Sequence, residues 1–300
     1  DATKAGSALI KQLKAACDGN VTLKLPEDYK DPDTNKVIFI SDTATGDGTS
    51  AESTWTPSVK TFANETDPRQ QNTALYQAVQ QLIKLGGGTI VICGPYTLDN
   101  TNTQRYTASS SHYEFKWDYT QTKKNIDITI TSVYDGVDYR ETKGAALIID
   151  GGVHLELQTN TIFKDLTVHT TNNATHNIAA QNCRFDLLNG TNFTTVTGGK
   201  LATVIGGFRT YNALAASYIK GDSNITVDPG DGNRIGDIIG AAESGAFAGG
   251  VHKINDGNIN ITVKSGTVGA IYGDGFSTAA SNCAGVQGNI TMNFEGGKYL

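Results

Sequence analysis

Sliding the last hundred residues of this 300-residue chain along themselves brings out four copies of one short pattern, and repetition at such a spacing restricts the fold more than composition does. The first strands read Phe193-Thr194-Thr195-Val196, Ile225-Thr226-Val227, Ile261-Thr262-Val263 and Ile290-Thr291-Met292, with last members 31, 36 and 29 residues apart. After a glycine turn, three copies carry a second strand patterned apolar, two small or polar, apolar, apolar, glycine. These are Leu201/Val204/Ile205/Gly206, Ile235/Ile238/Ile239/Gly240 and Val268/Ile271/Tyr272/Gly273, spaced by 34 and 33. A unit of two short strands cannot bury its own apolar side. Stacking the copies does so, and pairs each strand with one above and one below. Thr226, Thr262 and Thr291 then form an outward polar ladder while their Ile, Val and Met neighbours point inward. The variable segments 208–223 and 241–258 become loops. The fourth copy stops at Tyr299-Leu300 before a second strand, so the polypeptide is expected to continue.

Upstream the character differs. Ala74 to Leu85 places Leu75, Val79, Leu82 and Ile83 on one face, with Asp67-Pro68 as a start signal and Gly86-Gly87-Gly88 as a stop, which predicts a helix over 68–85. The apolar strand 89–93 follows. The same order, helix then glycine then strand, is expected at 8–16, 18–20 and 21–26. From Tyr96 onward only Pro229 remains among the prolines, and β-branched runs follow one another, as extended sheets require. About nine coils rising ~4.8 Å each would make a rod on the order of 40 Å long, with the helix over its open end.

The run Asn72-Thr73-Ala74-Leu75-Tyr76-Gln77-Ala78-Val79, then Gly86-Gly87-Gly88-Thr89-Ile90-Val91-Ile92 and Gly94-Pro95-Tyr96, resembles the opening of right-handed parallel β-helix proteins of the pectate-lyase-like superfamily. Val37-Ile38-Phe39-Ile40-Ser41 with Gly46-Asp47-Gly48-Thr49-Ser50 is similar to the entry loop of large repeat-bearing extracellular or cell-surface proteins of Gram-positive bacteria. The resemblance implies an all-β, right-handed parallel β-helix (solenoid) with an N-terminal capping helix and a small α/β lead-in, and an exported life. The expected layout is a lead-in and entry loop over 1–66, packed on a β-helix over 67–300 whose C-terminal repeats run from 193 to 300.

A net charge of −6 without a basic cluster argues against nucleic acid. No run of 18 apolar residues exists, so no membrane insertion is expected. Charged residues are 18% while Thr and Asn number 38 and 23, so the surface is clothed in uncharged polar groups. Cys17, Cys93, Cys183 and Cys283 form no CxxC pair and read as buried free thiols.

Candidate chemistry is sparse. His154 and Glu156 share one strand face, and Asp165, Thr167 and His169 lie opposite the inward Leu166 and Val168. Adjacent coils could gather two imidazoles and two carboxylates on one outer surface for acid, base or metal work, with Asp150, Arg140 and Arg184 near in sequence. Outward strand positions are also simply polar. Tyr113, Phe115, Trp117 and Tyr119 alternate with polar residues, which places four rings on one side, either as a glycan platform or as a buried seam. Asp42, Asp47 and Glu52 offer oxygen ligands for calcium without the acid spacing of an EF-hand, and a solvated turn is the plainer reading. No cofactor is otherwise indicated. The Asn-x-Thr triplets read as turn architecture. The motifs of polygalacturonase-like hydrolases and the carboxylate cluster of calcium-type pectate lyases are missing from the sequence. Display and binding at the cell surface, with a polysaccharide or a host or cell-wall glycan as partner, is therefore the preferred function. A polysaccharide lyase or glycoside hydrolase acting in a groove along the β-helix is the alternative.

Overall fold

The structure is a computed structural model, and it describes residues 36–106, 108, 111–117, 123–207, 218–219, 221–244, 254–277 and 285–300. The helix and strand expected within 8–26, together with Cys17, Tyr119 and Cys283, lie outside the described residues, as does at least half of each predicted loop.

Parallel strand pairing dominates. An eight-stranded sheet runs Val37–Ile40, Gly88–Ile92, Lys123–Thr131, Thr159–Lys164, Arg184–Leu187, Ser223–Val227, Ile259–Val263, Ile290–Phe294, each strand parallel to the next. After Gly88–Ile92, the chain visits other sheets between successive members. From Thr159–Lys164 it passes to Thr167–Thr170 in a four-stranded sheet and to Asn177–Ala179 in a seven-stranded sheet, then returns as Arg184–Leu187. The next pass runs through Asn192–Thr195 and Thr203–Ile205 before Ser223–Val227. In later passes a three-stranded sheet, Arg234–Ile235, Thr267–Val268 and Lys298–Tyr299, follows the eight-stranded one. Two antiparallel pairings interrupt this pattern, Gln104–Arg105 with Tyr113–Lys116, and Val133–Tyr134 with Val137–Asp138.

Period-two alternation fixes what is buried. Ile225, Ile261 and Met292 are cross-strand partners, as are Phe163, Leu187, Val227, Val263 and Phe294. Phe185, Ile261, Phe163, Leu187, Val227 and Val263 are fully buried in one apolar core that extends back to the helix. On the opposite face of the sheet stand Asp127, Asn160, Arg184, Asn224, Asn260 and Thr291, one per strand.

The register corrects two copies of the repeat. Phe193-Thr194-Thr195 belongs to the four-stranded sheet, paired with Val168-His169-Thr170, and the partner of Ile225 one strand earlier is Phe185. Ile290 stands opposite Ile259, so Thr291 stacks on Asn260, and Asn293 continues the ladder of Thr226 and Thr262. A two-residue slip leaves every side chain on the same face, so similarity along the sequence cannot detect it. The second strands are in the expected register: Val204, Ile238 and Ile271 are successive partners, as are Ile205, Ile239 and Tyr272.

The helix is shorter than expected. Arg69–Asn72 forms a 3-10 turn, Thr73 caps the α-helix Ala74–Lys84 by accepting the Tyr76 N–H at 3.1 Å, and Ala74, Leu75, Ala78, Val79 and Leu82 are buried. That face packs on the first three strands of the eight-stranded sheet. Beyond the first strand, Phe39 donates to Gly48 O and accepts from Trp55 N, both at 2.9 Å, so the segment 48–55 satisfies that sheet edge.

The glycines after the helix differ in their surroundings. A Cβ on Gly87 (φ +111°) would lie 2.5 Å from the Asp127 carbonyl oxygen, while one on Gly86 (φ +77°) would meet nothing within 4 Å. Gly86→Ala then carries only the left-handed backbone cost, about 1 kcal/mol. Gly87→Ala adds a backbone clash and is expected to lower stability by about 3 kcal/mol in urea titrations.

Candidate functional site

The corner where the chain enters the eight-stranded sheet is built from turn residues. Gln181 (φ +52°) and Asn182 (φ +58°) bend the backbone, and their N–H groups donate to Gly207 O at 2.9 Å and Gly206 O at 2.8 Å in the next pass of the chain. Gly221 (φ +84°) makes the corresponding corner one pass on, before Ser223–Val227. A Cβ there would come within 2.8 Å of Lys124 Nζ, the movable end of an exposed side chain, so it is the left-handed backbone that favours glycine at this corner. Lys124, Asn160, Asn182, Arg184, Gly221, Asp222 and Asn224 thereby line an open groove of about 450 Å3 on the outward face of the sheet.

Its lining is held from below. Asn160 Nδ2 donates to Lys124 O at 2.7 Å and Asp127 Oδ1 at 2.9 Å, and its Oδ1 accepts the Arg184 N–H at 3.0 Å. Asn182 Nδ2 donates to Gly221 O at 2.7 Å, and Asp222 Oδ1 accepts the Asn258 N–H at 2.8 Å. Asn260 Nδ2 donates to Asn224 Oδ1 at 3.0 Å. The Arg184 guanidinium stands between Asp127 (2.9 Å) and Asp186 (3.0 Å). The groove thus combines two cations, nearby carboxylates and carboxamides on a rigid sheet.

The residues singled out from the sequence fall elsewhere. His154 and Glu156 share one face of the strand Val153–Glu156, in the seven-stranded sheet, and both are buried. Asp165 (φ +49°) sits in the turn after Lys164, 3.9 Å from Arg140, which also grips Asp138 and donates to Gly190 O at 2.7 Å. His169 lies in the four-stranded sheet, with Nδ1 2.9 Å from Thr194 Oγ1. These four do not share a surface.

His154 instead joins a buried polar row that the sequence did not reveal. Its cross-strand partner is Glu114, and that of Glu156 is Lys116. Glu114 and Lys116 form an ion pair at 2.7 Å, Glu156 accepts from Gln181, and His154 Nε2 lies 3.4 Å from His112 Nδ1. His154 Nδ1 accepts the Asn177 N–H at 3.1 Å, which fixes the tautomer with its proton on Nε2. Beside the next strand of that sheet, Asn177–Ala179, both ring nitrogens of the buried His176 face acceptors, Val153 O at 3.1 Å and Asn172 Oδ1 at 3.0 Å. Both can donate only when the ring is doubly protonated. Asn172 is oriented by the Ala174 N–H on its Oδ1 and by donation from Nδ2 to Asp150.

Tyr113, Phe115 and Trp117 are buried, and the Tyr113 hydroxyl accepts from Arg105 at 2.8 Å. The three rings pack in the core instead of facing solvent. Asp42 accepts from Thr97 N and Oγ1 at 2.9 and 2.8 Å, Asp47 accepts from Thr49 Oγ1 and Ser53 Oγ at 2.7 and 2.9 Å, and Glu52 lies 3.7 Å from Lys143. The three carboxylates do not converge, and among the described residues no three His, Cys, Asp or Glu side chains are arranged to hold a metal ion. Cys93 and Cys183 are buried and free, and burial pushes the Cys183 thiol up to about 12. No helix among the described residues is long and apolar enough to cross a membrane.

Comparison with known proteins returns no matching family model, no matching curated protein and no matching solved structure.

Several carboxylates are held below the ordinary range. Hydrogen bonds from Thr171, the Gly151 N–H and Asn172, with the His176 charge, outweigh partial burial at Asp150. Arg140 does so at Asp138. At Asp47 partial burial pulls upward, and bonds from Thr49 and Ser53 more than offset it. A depressed folded-state pKa contributes stability that is complete above the unfolded carboxylate value and is lost as pH falls through the folded one. Stability should therefore decline below about pH 4. Asp150→Asn should flatten that decline in acid titrations followed by circular dichroism, leaving the curve above pH 5 parallel to that of the parent.

Proposed function

We propose that this chain is a right-handed parallel β-helix of the pectate-lyase-like kind, with the helix Ala74–Lys84 as its cap, acting outside the cell or at its surface by display and binding of a glycan. The observation that carries this reading is the groove at Lys124, Asn160, Asn182, Arg184, Asp222 and Asn224. Sugar hydroxyls both donate and accept, so they pair with carboxamides, carboxylates and cations fixed in place, and a rigid lining loses little freedom on binding. Strands repeat every ~4.8 Å along the sheet, a spacing comparable with one sugar ring, so a glycan chain laid across the strands would meet a similar row of groups at each step.

The proximity of Lys124 and Arg184 to Asp127 and Asp222 favours one second reading, a polysaccharide lyase or hydrolase, because acid–base chemistry on a uronate uses such pairs.

A glycan array probed with the chain, alongside Lys124→Glu and Arg184→Ala, tests both. Binding that each substitution weakens about tenfold or more supports the proposal. Binding to no glycan, or binding indifferent to both substitutions, overturns it. Release of shortened or unsaturated products replaces it with the enzyme.

A further inference from the structure

His176 is 0% exposed, at the corner that leads from Thr167–Thr170 into Asn177–Ala179. Its Nδ1 faces Val153 O and its Nε2 faces Asn172 Oδ1. A neutral imidazole carries one N–H, so in either tautomer a bare nitrogen lone pair would stand against an oxygen. Turning the Asn172 carboxamide over gives no relief. Its Oδ1 accepts the Ala174 N–H at 2.8 Å and its Nδ2 donates to Asp150 Oδ1 at 3.2 Å, so the reversed amide would set donor against donor at Ala174 and oxygen against oxygen at Asp150.

We propose that the fold holds His176 as a buried imidazolium and uses it as a proton-operated latch, closed while both ring nitrogens carry hydrogen and released when one proton leaves. The latch joins separate parts of the chain. Val153 opens one strand of the seven-stranded sheet, Asn172 lies in the bend after Thr167–Thr170, and His176 O accepts the Thr203 N–H at 2.8 Å from the next pass.

A buried charge needs compensation. Asp150 supplies it from the turn before Val153, one carboxamide away, where it also accepts from Thr171. Two other titratable residues stand nearby. Lys200 is exposed and touches the bend through its backbone, its N–H donating to Asn172 O at 3.3 Å. His154, on the adjoining strand, keeps a bare Nδ1 for the Asn177 N–H, so the groups around the two rings demand opposite protonation states. Deprotonating His176 would forfeit one of its two bonds and leave a buried oxygen facing a lone pair. An imidazole that gains its proton in the fold contributes stability that is complete below about pH 6.5 and is lost as pH rises until the folded ring gives that proton up. The inference is independent of the glycan reading.

Imidazole 1H–15N correlation spectra of the 15N-labelled 300-residue chain, with the rings assigned through their backbone resonances, test this without a variant. At about pH 7.5, where an ordinary imidazole has mostly shed its second proton, His176 should show hydrogen on both nitrogens and His154 on Nε2 alone. Urea titrations give a second readout. From about pH 6 to 8 the folding equilibrium constant of the parent should fall about fivefold or more relative to that of His176→Gln, which has no proton to lose. A single N–H on His176 at that pH, or parallel profiles for parent and His176→Gln, would overturn the proposal.

Discussion

Parallel pairing of strands that keep the same residues inward is the constraint on which this structure rests. Each strand of the eight-stranded sheet contributes a few buried side chains, too few to hold it alone, and the gain comes from continuing a column: Phe163, Leu187, Val227 and Val263 each cover the next. Burying one such side chain contributes about 2 kcal/mol, and the backbone bonds of the parallel ladders add to it.

The outward polar order follows from that register. The same stacking that aligns Ile225 with Ile261 aligns Asn224 with Asn260, whose side chains bond to one another. At the corners Asp222 and Asn258 accept the backbone N–H groups of Asn258 and Asn289, so side-chain bonds link successive passes of the chain where strand pairing ends. The groove is a product of this geometry: Lys124, Asn160, Arg184 and Asn224 come from four separate passes of the chain and meet because the passes are stacked.

Much of this was legible in the sequence, and the exceptions share a physical cause. The second-strand pattern at Val204, Ile238 and Ile271 predicted register because its paired apolar residues and glycine leave no equivalent shifted match. Ile290-Thr291-Met292 carried no such mark, and a slip by two satisfies the same alternation. His154 and Glu156 were correctly placed on one face, but alternation says which face a residue occupies and not whether that face meets water. Here the column that continues from Glu156 on the same face of the seven-stranded sheet, Ala179, Ile205 and Ile239, forms a second apolar cluster with Tyr272 and Phe276 packed against it. The buried Glu114 and Gln181 and the half-buried Lys116 were hidden for the same reason. The groove had no local signal, since its residues are tens of positions apart and each alone reads as a turn or an outward polar site.

Register is the sharpest expression of the stacking, and disulfide formation between introduced outward cysteines reads it directly. Parallel partners have Cα atoms about 5 Å apart, within disulfide reach, whereas a residue displaced by two along the neighbouring strand lies about 8 Å away, outside it. Under mild oxidation, Thr262→Cys with Asn293→Cys should close a bridge detected by peptide mass mapping, and Thr262→Cys with Thr291→Cys should not. Bridging in the second pair alone, or in neither, would contradict the in-register parallel stack.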